Sequence, residues 1–329
     1  MQLHDLFNKF NGLKVAVIGD VMIDAYLMGK VNRISPEAPV PVVSLTKHDE
    51  RLGGAANVAL NLVALGAKPI MCSCVGNDKD GQLLVTLLKN AGVSEEGLVF
   101  SDKRMTTVKT RVIGNSQHLL RIDAEETTPI SVEEENQLIQ KIEQLIQNGI
   151  DVIIFEDYNK GVLTERVIQE VIQLSKKHNI ISTVDPKKDN FFAYKGVTMF
   201  KPNLKELIEG TSIQFSFKNE PDKFKEAVNI LEQKLENQIS FITLSEHGVY
   251  IKNKQENFHF PAHIRTIADV SGAGDTVISV ASLCLAAGAS LELIASVANI
   301  AGGLVCEESG VVSINKEKLL IEAKKIIEK

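Results

Sequence analysis

Tryptophan is absent from this chain of 329 residues, and the other aromatics number only 13 Phe and 4 Tyr. Broad aromatic platforms for carbohydrate are therefore not expected. Cysteine is also scarce. Cys72, Cys74, Cys284 and Cys306 form no CxxC pair, and no His stands at zinc-finger spacing from them. They read as small buried hydrophobes in a reducing compartment. No apolar run reaches 18 residues. The longest apolar region, Val277 to Val305, is interrupted by Ser282, Glu292 and Asn299. The N-terminus carries charges from His4 to Lys14 and lacks a signal peptide's apolar run. A soluble, cytoplasmic protein is expected. Excess positive charge is missing too. The net charge of −6 makes whole-chain attraction to nucleic acid or to an anionic membrane unexpected. There is no low-complexity linker, repeat or basic block. There is no GxxxxGK[ST] loop, and Gly272-x-Gly274 continues into Val277, so no complete dinucleotide fingerprint exists.

What is present is an ordinary globular composition, 44% hydrophobic and 24% charged, enough to bury a sizeable core. Strand-like and helix-like segments alternate. Leu13–Gly19, Lys68–Val75, Val152–Phe155, Ile180–Val184, Val197–Phe200 and Ile239–Leu244 read as strands. Ala55–Leu65, Asp80–Asn90, Val132–Gln147, Thr164–Lys177, Leu204–Glu209 and Asp222–Glu236 read as helices, several of them stopped by Gly. Short apolar runs between helices of this length point to βαβ units on a parallel sheet with helices on both faces. Ala25–Leu45, with Pro36, Pro39 and Pro41, and Thr106–Ile122, turning at Gly114-Asn115, break the pattern. They read as an antiparallel patch added to the main sheet. From Ala273 onward the chain reads as mostly helix. One core domain with a small β insertion is expected.

The strongest chemical signal is Asp269-Val-Ser-Gly-Ala-Gly-Asp275-Thr276, opening the helix Thr276–Ala287. A Gly-Ala-Gly turn at a helix start exposes backbone N–H groups, and the helix dipole adds to them. Asp275 there is either a cap or a general base beside an anion hole, as phosphoryl transfer requires. Near the start, Gly19-Asp20-Val-Met-Ile-Asp24 follows the first strand, and Gly53-Gly54-Ala-Ala-Asn57 opens the first long helix. Asp24 and Asn57 suit a ligand's hydroxyl groups beyond strand ends, or are a turn residue and a packing motif. Asn203 and Glu206 are either a capping box or a pair orienting water on Mg²⁺. Asp185-Pro186-Lys187 is either a turn or a charge pair facing the same cleft, and Asp157-Tyr158-Asn159-Lys160-Gly161 follows another buried strand.

Together, the glycine pair, Asn203-Leu-Lys-Glu206 and Asp-Val-Ser-Gly-Ala-Gly-Asp275 resemble the PfkB, or ribokinase-like, carbohydrate kinases along essentially the whole chain. Gly19–Asp24, Arg33–Val43, Gly53–Asn57, Leu120–Asp123, Asp157–Gly161 and Asp185–Lys187 are similar to the members that phosphorylate D-glycero-D-manno-heptose 7-phosphate, in their stand-alone form. The resemblance implies a three-layer α/β sandwich, residues 1–329, with a mostly parallel central sheet. It also implies a small β-sheet lid from segments near 25–46 and 105–123, and a homodimer through that lid. It implies Asp275 as general base and the N–H groups of Gly272, Ala273 and Gly274 as anion hole. Asn203 and Glu206 would organise Mg²⁺ through water and hold the ATP phosphates. Asp24, Gly53, Gly54, Asn57 and Asp185 would hold the sugar. Arg33, Lys109, Arg111, Arg121 and Lys187 would serve its distal phosphate. Ser245, Gly248 and Asn299 would line the nucleotide groove, and a monovalent cation such as K⁺ would sit by Asp269 and the Glu307–Ser313 loop. Two departures stand out: Ala25 where such kinases commonly carry Arg, and Val270 where the family motif has Thr. A kinase of another sugar, sugar phosphate or nucleoside, or a non-catalytic sugar- or nucleotide-binding regulator, are the other readings.

Overall fold

The computed structural model describes residues 1–263 and 265–328. The first half runs α1 (Leu3–Lys9), β1 (Lys14–Gly19), β2 (Val21–Ile34), β3 (Pro41–Gly54), α2 (Ala55–Leu65), β4 (Lys68–Gly76), α3 (Lys79–Asn90), β5 (Ser94–Ser101), β6 (Val108–Gly114), β7 (Gln117–Ala124) and α4 (Val132–Gln147). The second half runs β8 (Val152–Glu156), α5 (Glu165–Lys177), β9 (Ile181–Asp185), β10 (Met199–Phe200), α6 (Leu204–Thr211), α7 (Pro221–Leu235), β11 (Ile239–Thr243), β12 (Val249–Lys252), β13 (Asn257–Phe260), α8 (Ala273–Ala286), α9 (Leu291–Val305) and α10 (Lys316–Ile327).

Nine strands form the main sheet in the order β13-β12-β11-β10-β9-β8-β1-β4-β5. All neighbours pair in parallel except β11–β12 and β12–β13. Its strands are apolar on both faces, because helices cover both. Along β1 the side chains of Val15 and Val17 enter one core, and those of Ala16 and Ile18 the other. On β8, Val152 and Ile154 face the first core, and Ile153 and Phe155 the second. The first core is closed by α1, α2, α3, α8, α9 and α10, the second by α4, α5, α6 and α7. This is the expected three-layer sandwich. The strand order reverses direction between β1, whose next sheet strand is β4 on one side, and β8 on its other side. Such a switch point leaves a crevice beyond the carboxyl ends of the strands.

The segments that broke the βαβ pattern make a separate sheet, ordered β3-β2-β6-β7, and not an extension of the main one. Its two hairpins, β2–β3 and β6–β7, are antiparallel, but they join through a parallel β2–β6 pair. Three other details depart from expectation. The strand expected over Val197–Phe200 shrinks to Met199–Phe200, because Thr198 uses its hydroxyl to accept from Ser182 N–H. The last third adds a β12–β13 hairpin at the sheet edge. β5, whose Ser-Glu-Glu-Gly start hides it, forms the other edge, with Gly97 packed onto Cys72. All four cysteines are free and buried, as expected. Among the described residues no helix is long and apolar enough to cross a membrane.

Candidate active site

Helix α8 begins at Ala273, one turn earlier than the apolar pattern indicates. Gly272 precedes it at φ +78°, a left-handed conformation that suits glycine. A Cβ there would also meet Val311 Cγ1 at 2.9 Å. The early start puts Asp275 inside the first turn, where a carboxylate is favoured by the dipole. Of the three amides expected to form an anion hole, Ala273 N–H turns to Val270 O at 3.3 Å. The N–H groups of Gly272, Gly274 and Asp275 take no acceptor among the described residues. The available cradle is therefore displaced by one residue.

Strand ends bring the other groups to Asp275. β8 ends in Glu156, followed by Asp157 and Tyr158. β9 ends in Asp185, and Lys201 follows β10. Carboxylate oxygens of Glu156, Asp185 and Asp275 lie within 4.8 Å of one another. Lys201 is the counter-charge, its Nζ 2.8 Å from Asp185 Oδ2, with both side chains buried. Gly274 lies alongside this pair; a Cβ there would make only ordinary contact with Asp185 Oδ2 at 3.4 Å and Lys201 Nζ at 3.9 Å. Burial lowers the proton affinity of Lys201, but Asp185 and Glu206 outweigh it and the net shift is upward. Burial, then Asp185 and Asp275, push Glu156 well above the usual carboxylate range, and its Oε2 has no hydrogen-bond partner. Burial, then the charge of Asp185, push Asp275 up to about 6. Asn57, Lys201 and the phenol of Tyr158 pull it back toward the ionised form.

Asp20, directly after β1, organises the neighbouring loop. Its Oδ2 accepts from Tyr158 N–H and Lys160 N–H at 3.0 Å each, and its Oδ1 accepts from Val162 N–H at 3.1 Å. Asp157 accepts from Asn159 N–H and from the hydroxyl of Tyr194.

A cleft of about 220 Å³ lies next to this centre. Asp24, Tyr26, Arg51 and Asn57 line one side, and Val311 and Ser313 the other. A Cβ on Gly53 would press on the Asp24 carboxylate, and Gly54 sits at φ +60°. Arg111 donates to Asp24 Oδ1 and so places a cation beside that carboxylate. Asn57 joins the cleft to Asp275.

The remaining expected residues are placed less uniformly. Asn203 and Glu206 form a complete capping box on α6: Asn203 Oδ1 accepts from Glu206 N–H, and Glu206 Oε2 from Asn203 N–H. Glu206 Oε1 accepts from Lys187 at 2.9 Å, which ties Lys187 to this turn. Lys109 is held by Asp123 and Glu125, and exposed Arg121 by Asp123. Arg33 stands near the far end of β2. It is nine residues from Asp24, about 30 Å along an extended strand, so its own chain does not bring it to the cleft. Ser245 and Gly248 frame the turn between β11 and β12, and Asn299 Nδ2 donates to Pro261 O. Asp20, Arg51, Glu156, Tyr158 and Lys201 were assigned no role from sequence. For Asp20, Glu156 and Tyr158 the signal was a polar residue at or just beyond the end of a buried strand, and for Lys201 a lysine ahead of a capping box; Arg51, inside β3, carried none.

The pfkB family carbohydrate kinase pattern matches residues 13–318. The bifunctional protein HldE of Desulfatibacillum aliphaticivorans is 42% identical over 314 residues, 94% of this chain and 63% of that protein. HldE of Helicobacter pylori is 36% identical over 308 residues, 94% of this chain and 66% of that protein. The chain thus spans just under two thirds of the length of these relatives. Among solved structures, Escherichia coli phosphofructokinase-2 in complex with potassium superposes with a TM-score of 0.76 at 18% identity, covering 95% of this chain and 99% of that one. Arabidopsis thaliana ribokinase complexed with ribose and ATP gives 0.70 at 16%, covering 96% and 99%. The chain belongs to the pfkB family of carbohydrate kinases and is a sugar kinase with a ribokinase-like fold.

Proposed function

We propose that this kinase transfers the γ-phosphoryl group of ATP to the anomeric hydroxyl of D-glycero-D-manno-heptose 7-phosphate, with Asp275 as general base. The observation that carries the reading is a buried carboxylate in the first turn of α8, beside three N–H groups that have no acceptor among the described residues. With its proton affinity near pH 6, Asp275 is ionised at neutral pH yet basic enough to take a hydroxyl proton. The N–H groups of Gly272, Gly274 and Asp275 would stabilise charge on the transferring group. Asp24, Gly53, Gly54 and Asn57 would orient the sugar in the cleft, with Arg51 and Arg111 as the cations nearest to it.

Membership of the family implies ATP and Mg²⁺. Asn203 and Glu206 fit a hydrated Mg²⁺, because each oxygen engaged in the capping box keeps a second lone pair for water. When bound, Mg²⁺ would neutralise charge on the ATP phosphates. Lys187, paired with Glu206, stands ready for the same phosphates. Ser245, Gly248 and Asn299 remain candidates for the nucleotide groove. A monovalent cation beside Asp269 belongs to the same reading; that carboxylate accepts from Ser271 and Gly310 N–H. Exposed apolar side chains on the second sheet, Leu45, Leu120 and Ile122, support a homodimer through the lid.

A panel of sugars and sugar phosphates, assayed for ATP consumption, tests the substrate. Turnover confined to another sugar would overturn the heptose assignment and keep the kinase.

A further inference from the structure

Tyr158 is fixed at both ends. Its phenol donates to Asp275 Oδ1 at 3.2 Å. Its backbone N–H is held by Asp20, which also takes the N–H groups of Lys160 and Val162. Asn159, between them, adopts φ +54° and anchors to Asp157. The loop therefore has little freedom to carry the phenol elsewhere. Lys160 Nζ reaches Glu125 Oε1 at 2.7 Å, and Lys109 of β6 binds the other oxygen of Glu125 at 3.1 Å. One loop thus connects the second sheet to the carboxylate.

Asp275 is faced from every side. Burial, then the charge of Asp185 on β9, oppose its ionisation, and the carboxyl of Glu156 on β8 lies within 4.8 Å of both. Lys201 after β10, Asn57 on α2 and Tyr158 favour it. Lys187, 5.6 Å from the centre of the Tyr158 ring, adds positive charge behind the phenol. The phenol itself can only donate here. Burial and the charges of Asp275, Glu156 and Asp185 hold its proton in place.

We propose that Tyr158 is a positioning residue, whose phenol keeps Asp275 ionised and fixed in one orientation, ready to accept a proton. The inference rests on Asp275 being the base. Removing a donor to a carboxylate stabilises the protonated acid, so the sign is defined.

The test is carbon NMR of the enzyme labelled with ¹³C at the aspartate carboxyls, titrated without nucleotide or Mg²⁺. Asp275→Asn identifies the Asp275 signal. Tyr158→Phe should raise its titration midpoint by about one pH unit, and the acid limb of kcat/KM should rise with it. A 3-fluorotyrosine at position 158, a stronger donor, should lower the midpoint. It provides a second measurement should the phenylalanine variant fold poorly. An unmoved midpoint in the folded variants, or a shift of the opposite sign, overturns the role of Tyr158. Full turnover in Asp275→Asn would instead overturn the base assignment, which the midpoints do not depend on.

Discussion

At the residue scale, the site is a contest over one proton. Burial and Asp185 raise the affinity of Asp275 for it, while Lys201 and two hydrogen-bonding side chains lower it. A base must be unprotonated to work. kcat/KM should therefore be flat above and fall as pH drops through about 6, which a pH profile checks. Lys201→Met removes the partner of buried Asp185 and should cost about 3–5 kcal/mol in a denaturant melt. It should also move the acid limb to higher pH, because the lost ammonium favoured ionised Asp275. Asp275 was legible in sequence because glycines and a helix start surround it. Tyr158 and Lys201 were not, since their roles arise from strands distant in sequence meeting at one crevice. Gly272 and Gly274 were read as a cradle, yet which amides are free depends on where α8 starts, and apolar periodicity does not fix that.

At the element scale, the caps carry both stability and placement. Asn203 and Glu206 stood between a capping box and a metal-organising pair, and the capping box is present in full. Asn203→Ala should cost about 1 kcal/mol in a melt, as caps do. If the pair also organises Mg²⁺, the KM for MgATP should rise as well; an unchanged KM would leave only the cap. Gly272→Ala forces a left-handed alanine, about 1–2 kcal/mol in strain, against Val311. Turnover should fall with stability, because the start of α8 aims the free N–H groups. Helices such as Ala55–Leu65 and Val132–Gln147 were readable to the residue, since Gly66 ends the first and Ser131 caps the second. β5 and β13 escaped because edge strands are not obliged to bury both faces, and β12, between β13 and β11, because it is only four residues long.

At the scale of the whole molecule, a three-layer sandwich and a separate four-stranded sheet meet around the cleft. The sheet of β2, β3, β6 and β7 has no helix layer of its own, and β7 is exposed along its length. If two copies pair through it, sedimentation should give a dimer, and Leu120→Glu with Ile122→Glu should give a monomer. A monomeric wild type would end that proposal. Arg33 would then have no route to any site, given its distance from Asp24. The parallel sheet was legible from alternating segments, but the parallel β2–β6 pairing was not, because nothing local encodes which hairpins meet. The account as a whole turns on proton transfer at Asp275 and on the oxygen it activates. The most direct measurement is phosphorus and proton NMR of the product from ATP and heptose 7-phosphate, for the wild type and Asp275→Asn. The account predicts a new phosphate on the anomeric oxygen and, in the variant, turnover reduced by about 10²–10⁴ with ATP still bound. A phosphate on another oxygen, or a variant as fast as the wild type, would contradict it.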